Sequence, residues 1–290
     1  MQLRIGHWTG DGTGVTVIVP PPGTVASGEV RGGAPATREF ALLDPTRLVD
    51  RVDAVVLSGG SALGLAAGDG VARALWEQGR GFPTPAGAVP IVVGMSLFDA
   101  SVAGTPPTAA NGRSALEAAT PDLVEGRVGA GTGATVGKWR GGFSPGGLGI
   151  AHGTVGEASV LVIAVANAWG DVIAPDGAVL NAAGDPELAP VPRFGMTNTT
   201  LAVVATDARL TKTDCFLLAQ SGHTGYARAL HPAHSRYDGD AVVALSTGEK
   251  EADLDLLRAT VTEVTADAIR RAITSGHEMN NDGLPAGDRR

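Results

Sequence analysis

The chain has 290 residues, 43% of them hydrophobic and only 18% charged, so a large core is available and a disordered protein is excluded. Its formal net charge is −8 and no basic cluster is present, which argues against nucleic-acid binding. Cys215 is the single cysteine, so no intrachain disulfide can form, and a reducing, cytoplasmic compartment is expected.

Met1 to Gly10 carries no apolar core followed by a cleavage site, so no signal peptide is expected. Gly14 to Pro20 alternates and is β-branched, which predicts a strand ended by the run Pro20, Pro21, Pro22. Arg31 to Glu39 reads as a turn-rich, solvated loop. Val55 to Leu57 reads as a strand that runs into Ser58-Gly59-Gly60-Ser61. A helix is expected from there, with Ser61 as its N-cap, and Gly79 supplies its C-terminal signal. Leu63, Ala67, Val71, Ala74 and Leu75 share one face of it.

Pro90 to Asp99 predicts another strand and its exit. Gly104 to Asn111 reads as loop, and Ser114 to Ala119 as a short helix. Gly141-Gly142 and Gly146-Gly147 read as hairpin turns. Ala158 to Trp169 is the most apolar segment. It is too short to span a membrane and reads as a buried strand, and no membrane partner is expected. Asn181 to Pro192 is polar and contains proline, as an exposed and cleavable loop would be.

Phe194 to Asp207 is the stretch around which the chain is organised. Leu201 to Ala205 is an apolar, Val-rich run suited to a strand covered on both faces, and Asn198-Thr199-Thr200 stands at its mouth. Were the bond before Thr199 cut, that residue would carry a hydroxyl and a free α-amine with a pKa near ~8, a nucleophile and a base in one. Leu210 to His231 then reads as mainly helical, Ala241 to Leu245 as a strand and Asp253 to Thr274 as an amphipathic helix, before a polar tail. Strands come in clusters with two helices after Thr199, which favours layered α+β over regular βαβ units.

Other chemistries fit poorly. Gly129 to Ala134 has the spacing of a dinucleotide loop but lacks a strong strand before it and a helix after it. The histidines do not cluster at a zinc spacing, and Pro232 separates His231 from His234, so neither metal nor cofactor is expected. Asp238-Gly239-Asp240 lacks the rest of a calcium loop and reads, on composition, as a turn.

Six stretches together resemble the L-aminopeptidase/D-esterase (DmpA-like) family, which includes β-aminopeptidases and the endo-acting nylon-oligomer hydrolase. They are Arg31 to Glu39, Leu57 to Gly64, Gly131 to Lys138, Ala164 to Asn167, Asn198 to Leu201 and Asp238 to Asp240. The resemblance implies a self-cleaving N-terminal-nucleophile hydrolase with a four-layer αββα sandwich, one domain over residues 1–290. It implies a cut between Asn198 and Thr199, giving pieces 1–198 and 199–290. Thr199 would be the nucleophile, Asn167 the oxyanion donor, Lys138 a nearby cation, and Asp238 with Asp240 the acidic pair that orients Thr199 and holds its ammonium. Short peptides or nylon-type amide oligomers are the implied substrates, and a homotetramer built as a dimer of dimers is the implied assembly. An ornithine acetyltransferase-like enzyme and an uncleaved small-molecule-binding protein are the alternatives. The Lys-Gly-x-Gly-Met stretch of the former is replaced here by Arg193 to Asn198.

Overall fold

The computed structural model describes residues 1–141, 143–181 and 198–278. Two five-stranded sheets form its centre. The first contains β1 (Arg4–Thr9), β2 (Gly14–Val19), β4 (Thr37–Arg38), β5 (Ala54–Ser58) and β6 (Val92–Ser96), in the order β1-β2-β5-β6-β4. The second contains β3 (Val25–Val30), β7 (Gly147–Val155), β8 (Ala158–Ala166), β9 (Leu201–Ala208) and β10 (Ala241–Lys250), in the order β7-β8-β9-β10-β3. Each sheet has one parallel pair, β5 with β6 and β9 with β10, among antiparallel neighbours.

Strand periodicity decides the layers. Along β8, Leu161, Ile163 and Val165 face the first sheet, where they meet Ile18, Val55, Leu57, Val93 and Met95. Val160, Val162 and Ala164 face the other way. They pack against the helices α3 (Lys212–Ala229) and α4 (Leu254–Glu278) through Leu218, Tyr226, Leu257 and Ile269. The outer face of the first sheet, Val15, Val17, Val56 and Val92, is covered by α1 (Ala67–Glu77) and α2 (Ala109–Glu117). Helix, sheet, sheet, helix is the four-layer αββα order, and the α+β expectation holds. Because β9 and β10 pair into the same sheet as β3 and β8, residues before and after position 198 share one core.

Several local expectations are corrected. Ser61 is not a helix N-cap. A single turn, Ser61–Gly64, follows Gly60, and α1 begins only at Ala67. Leu63 is accordingly exposed, while Ala67, Val71, Ala74 and Leu75 are buried as the helical spacing requires. The helix ends as its glycine signals: Gly79 has φ 68° and Arg80 N–H reaches back to Leu75 O. Helix α2 starts five residues before the expected Ser114, because Thr108 and Asn111 form a capping box. Arg31 to Glu39 is not loop throughout: Thr37–Arg38 pairs with Gly94–Met95.

Gly147 is not in a turn but opens β7, a strand the sequence reading missed along with β1 and β3. Its glycines are there for packing: a Cβ on Gly149 would lie 2.1 Å from Ala268 O, so α4 sits directly on the backbone of β7. The last helix runs on to Glu278, past the Thr274 end that was expected, so the polar tail does not begin directly after Ser275. The Gly141-Gly142 turn, the loop beyond Asn181 up to Pro192, the Phe194 to Thr197 lead-in and the rest of that tail fall wholly or partly outside the described residues. No helix among the described residues is long and apolar enough to cross a membrane.

Candidate active site

Three neighbouring strands of the second sheet end at the same edge, and each ends in a polar residue. Strand β8 exits at Asn167, β9 is entered through Thr199-Thr200, and β10 is entered through Asp238-Gly239-Asp240. Register then fixes who meets whom. Val165 pairs with Leu201 and Leu201 with Ala241, so continuing the ladder by two residues sets Asn167 opposite Thr199. The Thr199 N–H donates to Asn167 O at 2.8 Å, and Ala241 N–H donates to Thr200 O at 3.3 Å.

Thr199 is buried. Its hydroxyl lies against the carbonyl oxygen of Asn198, the peptide bond it follows, and receives a hydrogen bond from Gly239 N–H at 3.1 Å. Glycine at 239 leaves this contact room, because a Cβ there would stand 2.6 Å from the Thr199 Oγ and force a shift.

Asn167 is fully buried and its orientation is set by its partners. Its Oδ1 accepts from Thr135 N–H and Lys138 Nζ, both at 2.9 Å, and its Nδ2 donates to Phe98 O at 2.9 Å. One amide hydrogen of the expected oxyanion donor is therefore on Phe98. Lys138 enters from the glycine-rich loop, where Gly137 with φ 77° turns the chain. Its Nζ also reaches the Asn167 main-chain oxygen at 3.3 Å, the acceptor that Thr199 N–H uses. Burial pulls the Lys138 ammonium down to about 7, against the attraction of Asp238.

The two aspartates act on the backbone around Thr199. Asp240 Oδ1 accepts Thr200 N–H at 2.7 Å, while its Oδ2 accepts His234 N–H at 3.2 Å and faces His234 Nδ1 at 2.9 Å. Asp238 Oδ1 accepts Trp169 N–H at 3.1 Å, and its Oδ2 accepts Ser235 N–H at 3.2 Å and the Ser235 hydroxyl. Burial, and then the Asp240 carboxylate, raise the Asp238 carboxyl to about 7. All five residues expected from the sequence thus meet in one buried cluster. Gly239, Phe98, Thr135, Ser235 and His234 belong to it as well and were not expected. A glycine flanked by two aspartates just before an apolar strand was the available signal for Gly239.

A cavity of about 230 Å³ adjoins the cluster, with Lys138, Thr135, Phe98, Ala100 and Phe143 on its wall. Its lining mixes polar groups, Asp99, Thr135 and Lys138, with the aromatic residues Phe98 and Phe143, as small-molecule sites do.

Comparison with known proteins places the chain in a family. The model of Peptidase family S58 matches residues 2–284. An uncharacterized aminopeptidase of Mycobacterium bovis is 42% identical over 278 residues, covering 85% of this chain and 79% of that one. A 6-aminohexanoate-oligomer endohydrolase of Kocuria sp. is 30% identical over 273 residues, covering 86% and 73%. Among solved structures, a β-aminopeptidase of Burkholderia sp. gives a TM-score of 0.72 at 22% identity over 94% of this chain and 84% of that one. The L-aminopeptidase D-Ala-esterase/amidase of Ochrobactrum anthropi, described as a variant of the Ntn hydrolase fold, gives 0.69 at 19% identity over 93% and 83%. The chain therefore belongs to peptidase family S58, the DmpA-like family, and is a hydrolase of amide bonds.

Proposed function

We propose that this chain is the precursor of an N-terminal-threonine amidase, which cuts itself between Asn198 and Thr199 and then hydrolyses short peptides or linear amides. One observation carries the reading: the Thr199 hydroxyl lies against the Asn198 carbonyl while its own Oγ accepts from Gly239 N–H.

In the precursor the Thr199 nitrogen is an amide and has no basicity. Lys138, whose ammonium burial pulls down to about 7, takes the hydroxyl proton. The Thr199 Oγ attacks the Asn198 carbonyl carbon, and the C–N bond breaks as Lys138 returns the proton to the leaving nitrogen, which gives an ester and a free Thr199 amine. Water then hydrolyses the ester, releases the Asn198 carboxylate and restores the Thr199 hydroxyl. That amine becomes the base for substrate hydrolysis, with the same Oγ as nucleophile and the Asn167 amide donating to the oxyanion. The new ammonium gives the Asp238–Asp240 pair a cationic neighbour, so Asp238 then ionises more readily than in the precursor.

The aminopeptidase and the 6-aminohexanoate-oligomer endohydrolase among the relatives set the substrate range to test, from amino-acid p-nitroanilides and β-peptides to nylon-type oligomers. Further parts of the proposal are a homotetramer, a dimer of dimers, acting in the cytoplasm without metal or cofactor. Light scattering that finds only monomer at working concentration rejects the assembly.

The deciding experiment is intact mass and N-terminal sequencing of the purified protein and of Thr199→Ala. The wild type is expected as two fragments, the smaller beginning Thr-Thr-Leu-Ala, and the variant as one inactive full-length chain. Fragments from Thr199→Ala, or a single active wild-type chain, would overturn the proposal.

A further inference from the structure

His234 stands outside the group that the sequence pointed to, yet it touches that group directly. It sits in the loop between α3 and β10 with φ 55°, a left-handed conformation that histidine adopts uncommonly. That conformation turns both its N–H and its ring onto one oxygen of Asp240, at 3.2 and 2.9 Å. The other oxygen of Asp240 holds Thr200 N–H at 2.7 Å, one residue from the nucleophile. A rigid line thus runs from imidazole to carboxylate to the backbone that presents Thr199.

The surroundings favour a charged imidazole. Burial works against the cation, but the Asp240 carboxylate outweighs it and holds the His234 pKa above its ordinary value. From α3, the His223 carbonyl accepts from Nε2 at 3.2 Å, so both ring nitrogens face acceptors. The His223 ring is itself held neutral by burial, its pKa down to about 3, and Tyr226 stacks on the His234 ring at 5.6 Å. From β10, Asp240 has Asp238 beside it. Just beyond β3, Arg31 is, among the described residues, the cation that acts against the His234 proton, and it is itself paired with Glu29 at 2.8 Å.

We propose that His234 is a positioning residue of this active site: as a cation it fixes Asp240, and through Asp240 it fixes the Thr199-Thr200 turn for both self-cleavage and hydrolysis. The inference rests on the function proposed above and adds to it a residue that touches neither the substrate nor the reacting atoms. It also predicts a pH dependence. A group with a raised pKa keeps its effect below that pKa and loses it as pH rises through it. Self-cleavage should therefore rise through about 7 with Lys138 and fall again on the alkaline side as His234 loses its proton.

The test compares three full-length chains made by cell-free synthesis, wild type, His234→Gly and His234→Asn, followed from full length to fragments across pH. Glycine tolerates φ 55° and removes the ring. Asparagine also tolerates it and keeps a neutral donor where Nδ1 stands. His234→Gly is expected to slow self-cleavage and kcat by about ten- to a hundredfold, the scale of one lost charge-assisted hydrogen bond, with KM little changed. His234→Asn should recover most of that rate and lose the alkaline fall. Wild-type kcat in both variants, an alkaline limb that persists in His234→Asn, or an effect on KM alone would overturn the inference. A wild-type chain that never cleaves would instead reject the function on which it rests. Circular dichroism of each variant confirms folding, and should His234→Gly not fold, His234→Asn alone decides through its alkaline limb.

Discussion

Two buried lysines, Lys138 and Lys212, show how one residue type is put to different uses. Each is 9% exposed, and burial pulls each ammonium below its ordinary value. Lys212, in the first turn of α3, gives its three N–H donors to three main-chain oxygens: Leu42 at 2.8 Å, Arg47 at 2.9 Å and Val49 at 2.8 Å. Asp44 and Asp50 add attraction to its charge. Three donors, three acceptors and two nearby anions make a staple that ties the 42–49 segment to the helix layer. Lys138 instead meets both oxygens of Asn167, one of them also bonded to Thr199 N–H, and lines a cavity. Burial of a lysine serves stability where the cage is complete and, on the function proposed above, chemistry where it borders the Thr199 site.

The contrast breaks most sharply on removal of the charge. Lys138→Met keeps the length and apolar stem of the side chain. It should reduce self-cleavage by about 10²–10⁴-fold, the usual worth of a positioned proton acceptor. Stability should stay level or rise. Lys138 holds its proton in the folded chain only below about 7, whereas unfolded lysine holds it to about 10.4. Between those values the unfolded chain binds the extra proton, so the native lysine opposes folding at neutral pH and methionine removes that opposition. Gels for the fragments and urea unfolding of the same preparation check both halves. Intact cleavage in Lys138→Met would leave Lys138 as a second staple.

Gly239→Ala reaches the same chemistry without touching a charge. The added Cβ would stand 2.6 Å from the Thr199 Oγ and 2.8 Å from Ala34 O, so the hydroxyl or the 238–240 turn must move. A displacement near 1 Å at a reacting atom costs about 10²-fold in rate. Rates of self-cleavage at matched folding, measured by circular dichroism, test this, and an unchanged rate would separate the Gly239 contact from the reaction.

Lys212→Met should do the reverse of Lys138→Met. It leaves three carbonyl oxygens without their donor, so urea unfolding should show a loss of about 3 kcal/mol, the scale of buried acceptors left unsatisfied. Cleavage and turnover of the folded fraction should match wild type. A fall in kcat with stability intact would contradict the staple reading.

How much of this was legible in the sequence follows the same division. Asn167, Thr199 and Asp240 each border an apolar strand, so residue pattern alone marks them as ends of buried elements, and antiparallel and parallel register brings them together. Lys138 lies in a glycine-rich loop with no periodicity, and only the family resemblance pointed to it. Lys212 gave no signal, because its three acceptors are main-chain oxygens far away in sequence. Strand β7 was hidden for a related reason. Its glycines look like turn formers, while their use is the close approach of α4, a tertiary contact that no local pattern reports. His234 was weighed only as a metal ligand, and its role depends on a positive φ that the sequence does not display.

The smallest expected effect concerns a buried polar group that belongs to neither class. The Thr200 hydroxyl is fully buried, and its oxygen has no hydrogen-bond partner among the described residues. Its backbone is fully used. The N–H goes to Asp240, and the carbonyl accepts from Ala241 N–H at 3.3 Å and from the Tyr226 hydroxyl at 3.2 Å. Thr200→Val keeps the β-branched shape and every one of these backbone bonds, and it removes only the unpaired oxygen. An unpaired buried hydroxyl opposes folding, so the variant should be more stable by about 1 kcal/mol or less. Successive residues of an extended segment point to opposite faces, so the change lies on the side away from the Thr199 hydroxyl. Self-cleavage should proceed at the wild-type rate and the small fragment should begin Thr-Val-Leu-Ala. A stability loss above about 1 kcal/mol would mean that the hydroxyl has a partner in the working protein. A block in cleavage would mean that Thr200, not only its backbone, takes part in the reaction.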